Sequence, residues 1–172
     1  MAQQNKAVPK GYGAVTPYLR VKGAAEALQF YRKAFGAKER MKLTMPDGRI
    51  GHAEIEIGGG LVMLSEEFPE AGAVGPATLK GTTVTLSIYV ADADRVFQKA
   101  VASGAKVRRP LTDEFYGDRT GQIVDPFGHV WSIQTRIEDV SHREMQKRLD
   151  AMMAPAAAKP SRKPAQRPAK RR

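Results

Sequence analysis

Apolar and polar residues alternate along Val15-Thr16-Pro17-Tyr18-Leu19-Arg20-Val21. The alternation returns 69 residues later as Val84-Thr85-Leu86-Ser87-Ile88-Tyr89-Val90. A period of two marks a strand with one buried face. After each run the period lengthens to that of a helix. Residues Ala24 to Phe35 place Leu28, Tyr31 and Phe35 on one side and end before Gly36, and Asp94 to Ser103 end before Gly104. A glycine just past the last turn supplies the left-handed residue that stops a helix. The echo continues at a spacing of 70: Arg49-Ile50-Gly51-His52 against Arg119-Thr120-Gly121-Gln122, and Ile57-Gly58 against Phe127-Gly128.

Further strand-like runs follow in each half, Ala53 to Ile57 and Leu61 to Leu64, then Gln122 to Asp125 and His129 to Thr135. Each half therefore reads as strand, helix, then about three strands. With only two copies, a tandem pair of βαβββ modules fits better than a solenoid. The expected organisation is a flexible arm over residues 1–13 and one α+β domain over 14–136. Its modules cover 14–65 and 82–136, joined by a Gly, Pro and Ala-rich linker over 66–81. A C-terminal helix is expected over 137–153, opened by a capping box of Ser141 and Glu144, with Met145, Leu149 and Met152 on its apolar side. Residues 154–172 are expected to be a disordered basic tail, because they carry almost no large apolar side chain to offset the entropy of ordering.

Composition and charge sharpen this picture. The 172 residues are 42% hydrophobic and 27% charged, which suits a packed domain. No cysteine is present, which removes thiol nucleophiles, iron–sulfur clusters and disulfides and fits a reducing compartment. No apolar run reaches 18 residues, so no membrane span is expected. The N-terminal stretch lacks the apolar segment of a secretory signal, and a cytoplasmic location is expected. The net charge of +10 is concentrated at the end: seven cations and no acid lie in 155–172, and subtracting them leaves +3 for residues 1–154. Such a tail could track phosphate backbones weakly and without sequence choice, or serve only solubility.

Several segments resemble the vicinal oxygen chelate superfamily of glyoxalases, extradiol dioxygenases and fosfomycin and bleomycin resistance proteins, and within it the PhnB-like branch. The matching residues are Thr16-Pro17-Tyr18-Leu19, Ala27-Leu28-Gln29-Phe30-Tyr31 with Phe35-Gly36, and Gly51-His52-Ala53-Glu54. In the second half they are Tyr116-Gly117-Asp118-Arg119, Asp125-Pro126-Phe127-Gly128-His129-Val130-Trp131 and Ile137-Glu138-Asp139-Val140-Ser141. The resemblance implies curled mixed sheets forming a cup, a homodimer, and in the metal-dependent members a divalent ion held by His, Gln or Glu from the first and fourth strands of each module. Carried onto this chain, those positions are Thr16, Met63 (or Val62), Thr85 and Ser132. Hydroxyls and a thioether are poor ligands for such an ion, so no metal and no other cofactor is expected at the usual site.

Strand alternation sets Val15, Leu19, Val21, Val84, Leu86, Ile88 and Val90 toward the helices. It leaves Thr16, Tyr18, Arg20, Thr85, Ser87 and Tyr89 on the opposite, cup-lining face. His52, Glu54, Gln122, Ser132 and Gln134 are expected beside them, with Arg119 as a bidentate anchor for an anionic group or as a rim charge. A cup of this kind suits a small organic ligand. His52 and Glu54 have two further readings: a relocated metal pair, or a general base with its orienting carboxylate. Either would make the protein a lyase, isomerase or dioxygenase. The third reading of the pair is a solvated polar face. His129 and Asp125 read as turn residues, and Trp131 as core.

Overall fold

In the computed structural model, which describes residues 7–9 and 11–154, the first half runs β1 (Tyr18–Val21), α1 (Ala24–Phe35), β2 (Lys38–Thr44), β3 (Ile50–Ile57) and β4 (Gly60–Glu66). A 3-10 turn (Pro69–Ala71) and the short α2 (Pro76–Leu79) connect to the second half. There follow β5 (Thr85–Tyr89), α3 (Ala93–Ala102), β6 (Lys106–Asp113), β7 (Asp118–Val124) and β8 (Val130–Arg136), then α4 (His142–Met153). The strands make two sheets of identical design, β1-β4-β3-β2 and β5-β8-β7-β6, each with one parallel pair at the β1 or β5 edge. This is the tandem βαβββ arrangement. The chain divides into two compact units, one ending at Asp139 and the other starting at Val140. The basic tail from Pro155 onward, and with it any nucleic-acid contact of that tail, lies outside the described residues. No helix among the described residues is long and apolar enough to cross a membrane.

The register shows how closely the modules repeat. Tyr18 lies beside Met63 and Glu54 in the first sheet, as Ser87 lies beside Ser132 and Gln122 in the second. Glu54 is therefore the counterpart of Gln122, whereas the spacing of 70 in the sequence aligns His52 with it. Helix starts repeat too. The Glu66 carboxylate accepts the N–H groups of Gly23 (2.6 Å) and Ala24 (2.8 Å) at the head of α1. At the head of α3 the hydroxyl of Thr135, the counterpart of Glu66, accepts the Ala93 N–H (2.9 Å), and the Asp92 carboxylate accepts that of Arg95 (2.9 Å). These bonds satisfy donors that a helix leaves open at its first turn.

The core lies between the sheets. α1 packs on β3 and β4, α3 packs on β6, β7 and β8, and the two helices pack on each other. Tyr31 and Phe35 of α1 reach across to Trp131 of β8, with ring centroids 5.5 and 4.7 Å apart. Leu19, Val21, Ala53, Ile55, Leu64, Ile123 and Ile133 are buried beneath the helices. Val15 and Val84 differ from expectation. Both precede their strands and are 90% and 60% exposed, so neither reaches the helix layer.

The segment over 66–81 is folded rather than a plain linker. Glu67, itself buried, accepts the Gly75 N–H (2.9 Å) and the Thr78 hydroxyl (2.8 Å). Gly75 passes so close to β1 that a Cβ would stand 2.5 Å from the Arg20 carbonyl oxygen, which only glycine allows. The terminal helix begins at His142, not Ile137. The N–H groups of Ile137 and Glu138 instead donate to the Gly117 carbonyl (2.9 and 3.0 Å). Ser141 caps α4 by accepting the Glu144 N–H (3.3 Å), while the Glu144 carboxylate takes the Arg148 Nε–H (3.2 Å) in place of the return bond of a full capping box.

Candidate functional site

Because the helices lie between the sheets, the opposite sheet faces point away from each other, and the expected cup residues fall into two groups. On the first sheet Tyr18, Arg20, His52 and Glu54 share one face. The Tyr18 hydroxyl is 3.0 Å from His52 Nδ1, and His52 Nε2 is 3.3 Å from Glu54 Oε1. The Arg20 guanidinium lies 4.4 Å from the centre of the Tyr18 ring, an attractive cation–π distance, and donates to the Ser65 hydroxyl. Glu54 is 5% exposed, and its other hydrogen bond comes from Tyr12. The sequence placed Tyr12 in a loose arm and gave no signal for this contact. The Tyr12 hydroxyl, with a smaller contribution from His52, holds the Glu54 carboxyl below the usual carboxylate range. Reciprocally, the bond to Glu54 raises the Tyr12 phenol. The register adds Met63, Met41 and Leu43 to this face, giving it apolar ground around the polar chain.

On the second sheet Ser87, Ser132 and Gln122 form one cross-strand row, and Tyr89, Gln134 and Thr120 form the next. The Thr120 hydroxyl lies 3.1 Å from that of Ser132 and donates to Gln134 Oε1 at 3.4 Å. At the end of the second row the buried Asp118 carboxylate accepts the Tyr89 hydroxyl (2.7 Å) and the Arg136 Nε–H (2.7 Å). That bond raises the Tyr89 phenol above its ordinary value. Asp118, Arg136 and Thr120 were not among the expected residues; only the strand pairing reveals them. Thr85 sits exposed at the start of β5, and Thr16 lies half-buried just before β1.

Arg119 does not join either face. It lies on the helix side of β7, where its guanidinium donates to Asp94 of α3 at 2.6 and 2.8 Å and to Asp113 at 2.7 Å. These bonds raise its pKa further and occupy three of its five donors. The residue ties α3 to β7 and β6, on the side of the sheet away from the expected cup face. His129 accepts no cup role either: its Nε2 is 3.1 Å from the Arg20 carbonyl oxygen, and its N–H donates to Asp125 (2.9 Å).

A cavity of about 730 Å³ runs along the open edge of β5. Thr16, Thr85, Ser87 and Tyr89 border it, and Phe35 and Trp131 stand at its apolar side. The donor set for a divalent ion can be tested directly. The four family positions hold Thr16, Met63, Thr85 and Ser132, and Ser132 is already paired with Thr120. Among the described residues no group of three or more His, Asp or Glu side chains is arranged to hold a metal ion. His52 and Glu54 stand as a pair. These residues do not fit the family's ion.

Comparison with known proteins agrees with this architecture. An uncharacterized protein of Mycobacterium bovis, Mb0911c, is 40% identical over 141 residues, covering 80% of this chain and 93% of the relative. The crystal structure of PA1353 from Pseudomonas aeruginosa superposes with a TM-score of 0.60 at 26% identity, over 72% of this chain and 98% of that one. A PhnB protein from Bacillus cereus shares the fold, with a TM-score of 0.54 at 19% identity, over 72% and 99% of the two chains. The family model for the Glyoxalase/Bleomycin resistance protein/Dioxygenase superfamily matches residues 12–133, and the chain belongs to that superfamily.

Proposed function

We propose that the protein is a cytoplasmic homodimer that binds a small organic molecule between its two kinds of polar sheet face, without the family's divalent ion. One observation carries this reading. The face around Tyr18 and His52 and the face around Ser87 and Ser132 lie on opposite sides of one chain's helix layer. A cup built from both therefore takes its halves from two copies. The first face supplies an aromatic ring, thioethers and a buried carboxylate; the second supplies hydroxyls and amides. A few fixed hydrogen bonds on an apolar ground suit a small organic ligand. Hydroxyl and thioether groups at the family's ligand positions argue for holding that molecule without a metal.

The test is metal content by mass spectrometry after loading with nickel, manganese, iron and zinc separately, followed by a thermal-shift screen of small molecules. The expected result is no stoichiometric metal and a ligand whose stabilisation is lost in Ser132→Ala. The closeness of His52 to Glu54 favours a second reading, a lyase, isomerase or dioxygenase with a relocated centre. About one ion per subunit, lost in His52→Ala, would replace the first reading with the second.

A further inference from the structure

Tyr18, His52 and Glu54 on the first sheet form a hydrogen-bonded series, and their donor and acceptor roles follow from charge. Glu54 is held below the usual carboxylate range, so near neutral pH it accepts and does not donate. The hydrogen between it and His52, 3.3 Å apart, must then sit on His52 Nε2. In a neutral imidazole this leaves Nδ1 bare as an acceptor. The group facing Nδ1, at 3.0 Å, is the Tyr18 hydroxyl, which therefore donates to it. A carboxylate fixing an imidazole tautomer whose free nitrogen faces a hydroxyl is the arrangement that activates an oxygen nucleophile. Tyr18 is 42% exposed, which leaves it accessible to a ligand, and the Arg20 cation lies over the face of its ring, where it favours negative charge developing on the phenol. Tyr12 adds a second hydrogen bond to the same Glu54 oxygen, which fixes the carboxylate's place.

We infer that Tyr18 is a base-activated nucleophile, with His52 as its base and Glu54 as a positioning residue, suited to a small ligand with an electrophilic acyl or sulfonyl centre. In the step, the Tyr18 oxygen bonds to the electrophilic atom, the leaving group departs with the bonding electrons, and the phenolic proton passes to His52 Nδ1. The imidazolium so formed faces the Glu54 carboxylate, and its proton is available to the leaving group. This deepens the proposed site, since it names the group that meets the ligand on the first face.

The test uses 4-(2-aminoethyl)benzenesulfonyl fluoride on the full protein near neutral pH, with each tyrosine mapped by mass spectrometry. A sulfonyl–oxygen bond forms as the sulfur–fluorine bond breaks. Tyr18 is expected to react at least about tenfold faster than Tyr89, which is more exposed but donates to Asp118. His52→Gln should bring Tyr18 down to the rate of Tyr89, whose own unchanged rate in the same sample reports an intact fold. A nitrogen-15 imidazole spectrum of the unmodified protein should show His52 protonated at Nε2 and bare at Nδ1, and Glu54→Gln should abolish that preference. Labelling of Tyr18 no faster than Tyr89, or unchanged in His52→Gln, overturns the inference, as does a bare Nε2. The probe replaces the ligand, so this test can fail while ligand binding succeeds, and the reverse.

Discussion

The hydroxyl of Tyr31, in the helix of the first module, donates to Asp125 Oδ2, in the last turn of the second, at 2.8 Å. The same carboxylate accepts Trp131 Nε1–H and the N–H groups of Phe127 and His129, each at 2.9 Å. Four donors from both modules thus converge on one buried group. Burial, with Asp125 beside it, pushes the Tyr31 phenol well above its ordinary value. Tyr31→Phe removes one bond and should cost about 1 kcal/mol. Asp125→Ala strands four buried donors and should cost upwards of about 4 kcal/mol. Urea unfolding followed through the fluorescence of Trp131, the only tryptophan, measures both. Equal losses would show that the carboxylate does not act as a hub.

The acid side of the stability curve should depend on Glu67. Its carboxyl is held below the usual range, first by the Gly75 N–H and then by the Thr78 hydroxyl. A carboxyl whose pKa is lower folded than unfolded adds stability above its unfolded value, and that stability is lost as pH falls through the folded one. Glu54 and Asp94 are depressed in the same direction. The thermal midpoint should therefore fall between about pH 5 and pH 3. Glu67→Gln should lower the midpoint at pH 7 and flatten that descent. A descent unchanged in slope would place the acid sensitivity elsewhere.

Much of this fold was legible because burial is one-sided. β1, β5, α1 and α3 each hide one face, and their periodicity says so. β2 and β6 left almost no trace: every residue of β2 is exposed, so nothing forces alternation, and β6 carries Pro110 and two register shifts that an edge strand tolerates. Within the site, Tyr18, His52 and Glu54 followed from alternation alone. Arg119 could have been placed on the helix side the same way, since it lies three positions before Gln122 and opposite faces result. Tyr12 and the Asp118–Arg136 pair depend on contacts between distant segments, which local pattern does not encode.

Small residues under the helices are a further shared requirement. A Cβ on Gly121 would stand 2.8 Å from Phe97 Cε2 and 3.1 Å from the Leu111 backbone nitrogen. At the register-equivalent place the first sheet carries Ala53, fully buried. At Gly51, which the sequence aligns with Gly121, a Cβ would meet the flexible Met45 side chain at 3.1 Å and backbone, the Leu43 carbonyl oxygen, no nearer than 3.9 Å. Gly121→Ala should therefore cost about 1–3 kcal/mol through overpacking. Gly51→Ala should cost less than about 1 kcal/mol, because the reduced freedom of the unfolded chain offsets the tighter contact. Denaturant midpoints of the two variants decide it; a reversed order would mean that Phe97 yields and Met45 does not.

The dimer is the prediction on which the shared cup stands. β1 and β5 are both edge strands, each bonded on one side only. An open edge is a template for pairing, and folded proteins cover or blunt it. Exposed apolar residues flank both edges: Val15 and Val84, counterparts at a spacing of 69, with Tyr18 and Tyr89 close by. Two open edges with exposed apolar residues beside them are suited to a second copy, which would bring the face of Tyr18 opposite the face of Ser87. Light scattering at micromolar concentration should give twice the chain mass. Val15→Glu with Val84→Glu would force charge into that contact, and burying an unpaired carboxylate is costly enough to favour the monomer. The doubly substituted protein should keep its helix and strand content while losing the dimer mass and any ligand stabilisation together. A wild-type monomer would end the cross-copy cup, and a dimer indifferent to both substitutions would place the interface away from these edges.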